Sequence, residues 1–211
     1  MTYKFKTLDL GRCSYEFGIA EQDRIVEARR NGAVPDMLIL LEHDPVYTLG
    51  RNADERHVIA SPEKLAEVGI PLIRTGRGGD ITYHGPGQVV AYPIMDLGDR
   101  GERVVWYVSS LEEILIRVLA EYGVEGRRDP ANRGVWVGDE KIGAIGVRVA
   151  RHITMHGFCL NVTVNLDNYR YIVPCGIHDK GVTSLDRLVN GVTVEDAKRL
   201  IIEKFGEVMG A

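Results

Sequence analysis

Between residues 75 and 93 the chain reads TGRGGDITYHGPGQVVAYP. Five glycines fall from Gly76 to Gly87, too many for a helix or an unbroken strand, because each glycine adds to the entropy cost of regular structure. The chain must turn here, and the flanking residues 71–74 and 88–93 read as strands. Glycine also lets backbone N–H groups come close to a bound group. A connection needing flexibility alone has no use for Arg77, Thr82, Tyr83, His84 and Gln88 among its glycines. The segment therefore reads as a binding loop as well as a pair of turns. Its spacing matches neither GxGxxG nor GxxxxGK[ST], which removes support for a nucleotide phosphate loop.

The remaining signals are local. Residues 3–10 alternate apolar and polar, as a strand does. Ser14 is a natural N-cap for a helix running to about residue 30, with Gly32 just past its end. MLILL at 37–41 reads as a buried strand, EHDP at 42–45 as a turn, and 46–49 as a second strand. Ser61 opens a short helix with Pro62 at its first position. A longer helix is expected over about 104–122, because Val108, Leu111, Leu115, Val118 and Leu119 recur at helical spacing before Gly123. Residues 134–137 and 140–147 flank Gly138-Asp139, a two-residue hairpin turn, and 153–164 supply one or two more strands. Thr193 with Asp196 three residues on starts a last helix. Strands in the middle and helices towards the ends predict an α+β fold, with a mixed β-sheet flanked by helices. No repeat, linker or composition break divides the 211 residues, so a single domain over 1–211 is expected.

A formal net charge of −4 argues against a general nucleic-acid binder, although Arg127, Arg128, Arg133, Arg148 and Arg151 crowd one region. No apolar run approaches the roughly 20 residues that span a bilayer, and the start lacks an apolar signal core. A cytoplasmic protein without membrane or nucleic-acid partners is expected. Cys13, Cys159 and Cys175 are odd in number and lack CxxC spacing. That speaks against a disulfide framework and a zinc site, and no metal is expected. Each thiol is free to be a small core hydrophobe or a nucleophile.

Cys175 stands in YIVPCGIHDKGVTSL. Proline before it favours extended backbone and glycine after it permits a sharp turn, which predicts a thiol at a strand end within reach of substrate. Cys159, in HGFCLNV, reads as a packed strand residue, and Cys13 as a loop residue without a role. A nucleophilic cysteine acts as thiolate, and with an ordinary pKa of about 8.5 only a small fraction is ionised at neutral pH. A partner is needed, either the ammonium of Lys141 or an imidazole from His84, His156 or His178. Lys141 opens KIGAIGVRV just after the hairpin turn, where a lysine is usually solvated. Regular alternation would put Lys141, Gly143 and Ile145 on one face and Ile142 and Ala144 on the other. Gly143 and Gly146 point to something packing closely on this strand.

These residues resemble the lipoyl(octanoyl) transferase family. Its signature of Arg-Gly-Gly, Thr-Tyr-His and Pro-Gly-Gln stands here as RGGDITYHGPGQ at 77–88. LEHDPVYTLGR precedes it, and KIGAIG, HGFCLNV, PCGI and VTSL follow in the family's order, so the likeness runs from about residue 40 to 185. The resemblance implies the biotin/lipoate protein ligase fold and a two-step octanoyl (or lipoyl) transfer, the first step of endogenous protein lipoylation. It places the nucleophile on Cys175 and the lysine that lowers its pKa on Lys141. It places substrate binding on Arg77, Gly78, Gly79, Asp80, Ile81, Thr82, Tyr83 and His84, on Ala144, Ile145 and Gly146, and on Gly157, Phe158 and Cys159. The implied donor is octanoyl-acyl carrier protein. The implied acceptors are apo lipoyl domains of the 2-oxoacid dehydrogenase acyltransferase subunits and the glycine cleavage H protein. A thioester is already activated, so neither ATP nor a cofactor is expected, in keeping with the missing phosphate loop. Backbone N–H groups near residues 78–79 or after Lys141 are the expected oxyanion donors. Cys159 departs from the family's pattern, where a small residue such as alanine is expected. An ATP-dependent lipoate or biotin ligase, a non-catalytic lipoyl-domain binder and a cysteine hydrolase are the competing readings. A ligase needs no nucleophilic cysteine, and a binder needs neither member of the Lys141–Cys175 pair.

Overall fold

The computed structural model describes residues 5–100 and 104–210. Strand β1 (Phe5–Cys13) opens it and includes Cys13, so the first two positions of the strand expected over 3–10 lie outside the described residues. Ser14 caps helix α1 (Tyr15–Arg30) by accepting the N–H of Phe17, and Gly32 takes a φ of 68° just beyond. Strands β2 (Asp36–His43) and β3 (Val46–Leu49) are separated only by Asp44 and Pro45, a tighter turn than EHDP predicts. Helix α2 (Pro62–Val68) is capped by Ser61 and stopped by a left-handed Gly69. Strands β4 (Leu72–Arg74), β5 (Ile81–His84) and β6 (Gln88–Ile94) follow. β5 lies inside the glycine-rich segment, where the sequence predicts only turns. All four of its positions are buried although three are polar, so no alternation betrays it.

After the short helix α3 (Leu97–Arg100) comes α4 (Val104–Glu121), with Gly123 left-handed beyond it. Strands β7 (Arg127–Arg128), β8 (Val135–Val137), β9 (Glu140–Ala150) and β10 (Ile153–Asn161) follow. A segment with little regular structure then carries β11 (Gly181–Val182), before helix α5 (Val194–Met209), capped by Thr193.

The main sheet runs β1-β2-β6-β10-β9-β8-β7, with β11 beside β9. β1 and β2 pair in parallel, as do β11 and β9, and the other neighbours are antiparallel. The sheet is therefore mixed, as α+β requires. β2 and β6 are apolar on both faces because both faces are covered. On one side Leu38, Leu40, Val89 and Ala91 meet Leu111, Leu115 and Val118 of α4 and Ile201 and Phe205 of α5. On the other, Ile39, Leu41, Val90 and Tyr92 meet Ile25 and Val26 of α1. A small sheet, β4-β3-β5, has its own core of Tyr47, Leu49, Ile81 and Tyr83 with Tyr169 and Tyr171. Each aliphatic side chain so buried stabilises the fold by about 1.5–3 kcal/mol. No helix among the described residues is long and apolar enough to cross a membrane.

Candidate active site

Lys141 Nζ lies 3.1 Å from Cys175 Sγ. A lysine after a hairpin turn is usually in water, yet this one is only 6% exposed, and the strand explains why. β8 places Val135 opposite Gly143 but Trp136 opposite Lys141, so Ile142 is the extra residue of a β-bulge. Ile142 is fully buried in the core under α4. A Cβ on Gly143 would also point there, 2.7 Å from Leu115 Cδ1. Two successive residues thus face the helix and the alternation is re-phased. Lys141 comes onto the face of Ala144 and Gly146 instead of sharing one with Gly143. Its ammonium sits 4.8 Å from the centre of the Trp136 ring, and Lys180 Nζ is also 4.8 Å from that ring. A buried aromatic face favours such a cation.

Cys175 is not at a strand end. It occupies a single 3₁₀ turn, Pro174–Gly176, with φ 57° and ψ 16°. Left-handed backbone costs a non-glycine residue roughly 1–2 kcal/mol, and the neighbouring segments hold it there. Val173 N donates to the His57 carbonyl at 2.7 Å, and Ile59 N donates to Tyr171 O at 3.0 Å. On the far side Thr183 N donates to Lys141 O at 3.0 Å, where β11 runs alongside β9. Beneath the turn, His57 Nδ1 and Asp80 Oδ2 are 2.5 Å apart. Asp80 Oδ1 accepts the N–H groups of Ile81 (2.7 Å) and Asp54 (3.2 Å). A Cβ on Gly176 would meet His57 Cε1 at 2.7 Å and Asp80 Oδ2 at 2.8 Å. Only glycine allows the Cys175 turn to rest on this pair.

Lys141 and Cys175 border a cavity of about 230 Å³ between the main sheet and β5. Of the residues singled out by sequence, Arg77, Gly79, Asp80, Ile81, Thr82 and His84 line it, with Ala144, Ile145, Gly146, Gly157, Phe158 and Cys159. Gly78 and Tyr83 do not. Gly78 lays the loop on the open edge of β9, its N–H donating to Val147 O at 2.9 Å. That hydrogen bond removes Gly78 from the expected oxyanion donors. Tyr83 alternates away into the small core, where its hydroxyl accepts from Asn168 Nδ2 at 2.7 Å. Sequence reasoning missed Tyr15, Val90, Tyr92, Asn132 and Arg133, which also line the cavity, and it missed His57 and Trp136. Val90 and Tyr92 alternate on β6, a signal that was available. The others come from distant segments that only the fold unites.

Burial governs the electrostatics. Desolvation lowers His43 to about 4, His84 to about 3 and His156 to about 4, so all three imidazoles are neutral at pH 7. His84 Nδ1 lies 2.6 Å from Gln88 Oε1, and Gln88 Nε2 donates to Asn161 Oδ1 at 2.8 Å. His84 is thereby fixed in a network that joins β5, β6 and β10. Cys159 is buried and its thiol is pushed up to about 11 by desolvation. The buried Arg77 donates to the Thr48 carbonyl at 2.6 Å and to the Thr48 hydroxyl at 2.8 Å, which leaves it one fixed orientation beside the cavity.

This mixed sheet with its slot has the biotin/lipoate protein ligase fold. A lipoate protein ligase from T. acidophilum with bound lipoic acid, described as putative, superposes with a TM-score of 0.77 at 16% identity, over 99% of this chain and 86% of that one. The lipoyl protein ligase A/B catalytic domain model matches residues 14–206, and the chain belongs to that family. The octanoyltransferase of Alkaliphilus metalliredigens is 47% identical over 203 residues, covering 95% of this chain and 93% of the relative. That of Caldicellulosiruptor saccharolyticus is 44% identical over 211 residues, covering 99% and 90%.

Proposed function

We propose that this chain is a cytoplasmic octanoyltransferase of protein lipoylation. It moves an octanoyl group from octanoyl-acyl carrier protein to a lysine of apo lipoyl domains, through a thioester on Cys175. Family membership and the relatives' names support octanoyl transfer. The observation that carries the chemistry is the 3.1 Å contact between Lys141 Nζ and Cys175 Sγ at the rim of the slot.

The ammonium of Lys141 stabilises the Cys175 thiolate, which is the attacking species. Sγ attacks the donor's carbonyl carbon, the carbonyl–sulfur bond to the carrier breaks, and the departing thiolate takes a proton from Lys141. The octanoyl group remains on Cys175 as a thioester. The acceptor's amine nitrogen then attacks that carbonyl, the bond to Sγ breaks, and Lys141 regains its proton from the new amide nitrogen. The slot beside Gly146, Gly157 and Tyr92 takes the hydrocarbon tail, worth about 5 kcal/mol at about 0.8 kcal/mol for each buried CH₂. Because the donor is a thioester, no adenylate is needed.

Intact mass after incubation with octanoyl-acyl carrier protein, followed by peptide mapping, tests this reading. An octanoyl adduct on Cys175 that disappears on adding an apo lipoyl domain supports both half-reactions. An accessible Cys175 that gains no adduct overturns them.

A further inference from the structure

The proposed transfer leaves one proton without a carrier. Its balance is a carrier thioester plus a lysine ammonium, giving a carrier thiol, an amide and one free proton. Lys141 gives a proton to the departing thiol and recovers one from the attacking nitrogen, so its own account is closed. An acceptor lysine, however, arrives as an ammonium at neutral pH, with an ordinary pKa of about 10.4. Its nitrogen has no lone pair until a further proton has left. A second base near Cys175 would take that proton faster than exchange with water alone supplies free amine.

His43, His84 and His156 do not suit the task. All are buried, and desolvation makes each a weak base. His57 is placed differently. Its side chain keeps 20% of its surface exposed, and it packs against Gly176, the residue next to the nucleophile. Nδ1 faces the Asp80 carboxylate at 2.5 Å. A carboxylate only accepts, so the proton on Nδ1 faces Asp80, and in the neutral ring Nε2 holds the lone pair. Asp80 is itself fixed by two backbone N–H groups and borders the cavity.

We infer that His57, oriented by Asp80, is the base that takes the proton from the acceptor lysine's ammonium before its nitrogen attacks the acyl-enzyme. This inference rests on the octanoyl-transfer reading above. Nε2 gains the proton as N–H, the nitrogen keeps the electron pair, and the imidazolium passes the proton to water. Charged and titratable groups facing His57 are Asp80, Asp54, whose N–H reaches Asp80, and His178, whose ring is 5.8 Å away edge-on.

The test separates the half-reactions. Octanoyl-enzyme is prepared from octanoyl-acyl carrier protein and purified. It is then mixed with an apo lipoyl domain or with hydroxylamine, an amine already neutral at pH 7. For His57→Gln, transfer to the lipoyl domain is expected to fall about 100-fold at pH 7. The deficit should shrink as rising pH frees the amine, while hydroxylamine clears the acyl group within a few-fold of the wild-type rate. Asp80→Asn, close in volume, should give the same split in smaller degree. Equal losses with both nucleophiles would reduce His57 to a support of the turn and overturn the inference, as would undiminished transfer to the lipoyl domain. If the wild-type protein never forms the acyl-enzyme, octanoyl transfer fails at its first step and this role falls with it.

Discussion

Lys141 and Ala144 share a face of β9 although three residues apart, a spacing that an unbroken strand does not allow. The bulge at Ile142 makes the difference, and Gly143 permits it. Gly143→Val would drive a side chain into Leu115 Cδ1 and towards the Cys159 carbonyl, 3.2 Å from a Cβ. A loss of about 1–3 kcal/mol is expected from overpacking, together with slower acylation of Cys175 as Lys141 shifts. Urea unfolding and the acylation rate measure the two effects. An unchanged acylation rate at lowered stability would show that Lys141 does not depend on the bulge.

The three thiols should separate cleanly towards an alkylating reagent. Burial holds Cys159 up at about 11 and also raises Cys13, with Asp44 adding to the latter. Iodoacetamide at pH 7.5 should give one fast adduct, mapped to Cys175. Lys141→Ala should slow that reaction, because the thiolate loses its ammonium. A fast adduct on Cys159 in the folded protein would contradict the raising of its thiol by burial.

Trp136 is a second handle on the same pair. Its ring is 1% exposed and lies under both Lys141 and Lys180. Trp136→Phe keeps an aromatic face and should retain most of the acylation rate. Trp136→Leu removes that face and should lose about ten-fold, the equivalent of a cation–π contact of about 1.4 kcal/mol. If the two variants behave alike, packing alone explains the tryptophan.

Acid should unfold the protein through its buried histidines. His43, His84 and His156 are held near 4, 3 and 4, against 6.5 for free histidine. As pH falls below about 6.5 the unfolded chain binds protons that the folded chain refuses. The contribution of these groups to stability is therefore full above 6.5 and is lost down to about 3–4. At about 1.4 kcal/mol for each unit of displacement, the combined loss is on the order of 10 kcal/mol. Urea midpoints measured from pH 7.5 to 4.5 should fall steadily, and less steeply in His84→Gln. A flat profile would mean that the imidazoles are charged in the fold.

What the sequence disclosed divides along physical lines. The caps at Ser14, Ser61 and Thr193 and the turn at Gly138-Asp139 are written within a few residues, and the structure has each of them. Strand β5 was hidden because burial on both faces erases alternation. The bulge at Ile142 was hidden because it depends on the register with β8, and register belongs to two strands at once. The left-handed turn at Cys175 is set by contacts to residues 57–60 and to β9 that no local pattern encodes. For the site, signature residues named most of the cavity wall. His57, Trp136 and Tyr15 were invisible because their relevance arises from proximity, and proximity across the chain is a property of the fold.

The pairing of β11 with the start of β9 sets Val182 beside Lys141, and it also ties reactivity to folding. An unfolded chain carries three thiols that differ little in chemistry. On the proposed mechanism, Cys175 differs from the others only when residues 181–183 have closed onto a strand some forty positions earlier. On that mechanism, a chain with β9 made but this clasp open would have no lysine-assisted thiolate to acylate. If Cys175 is the nucleophile proposed above, the speed at which it takes up a label should report the closure of this clasp.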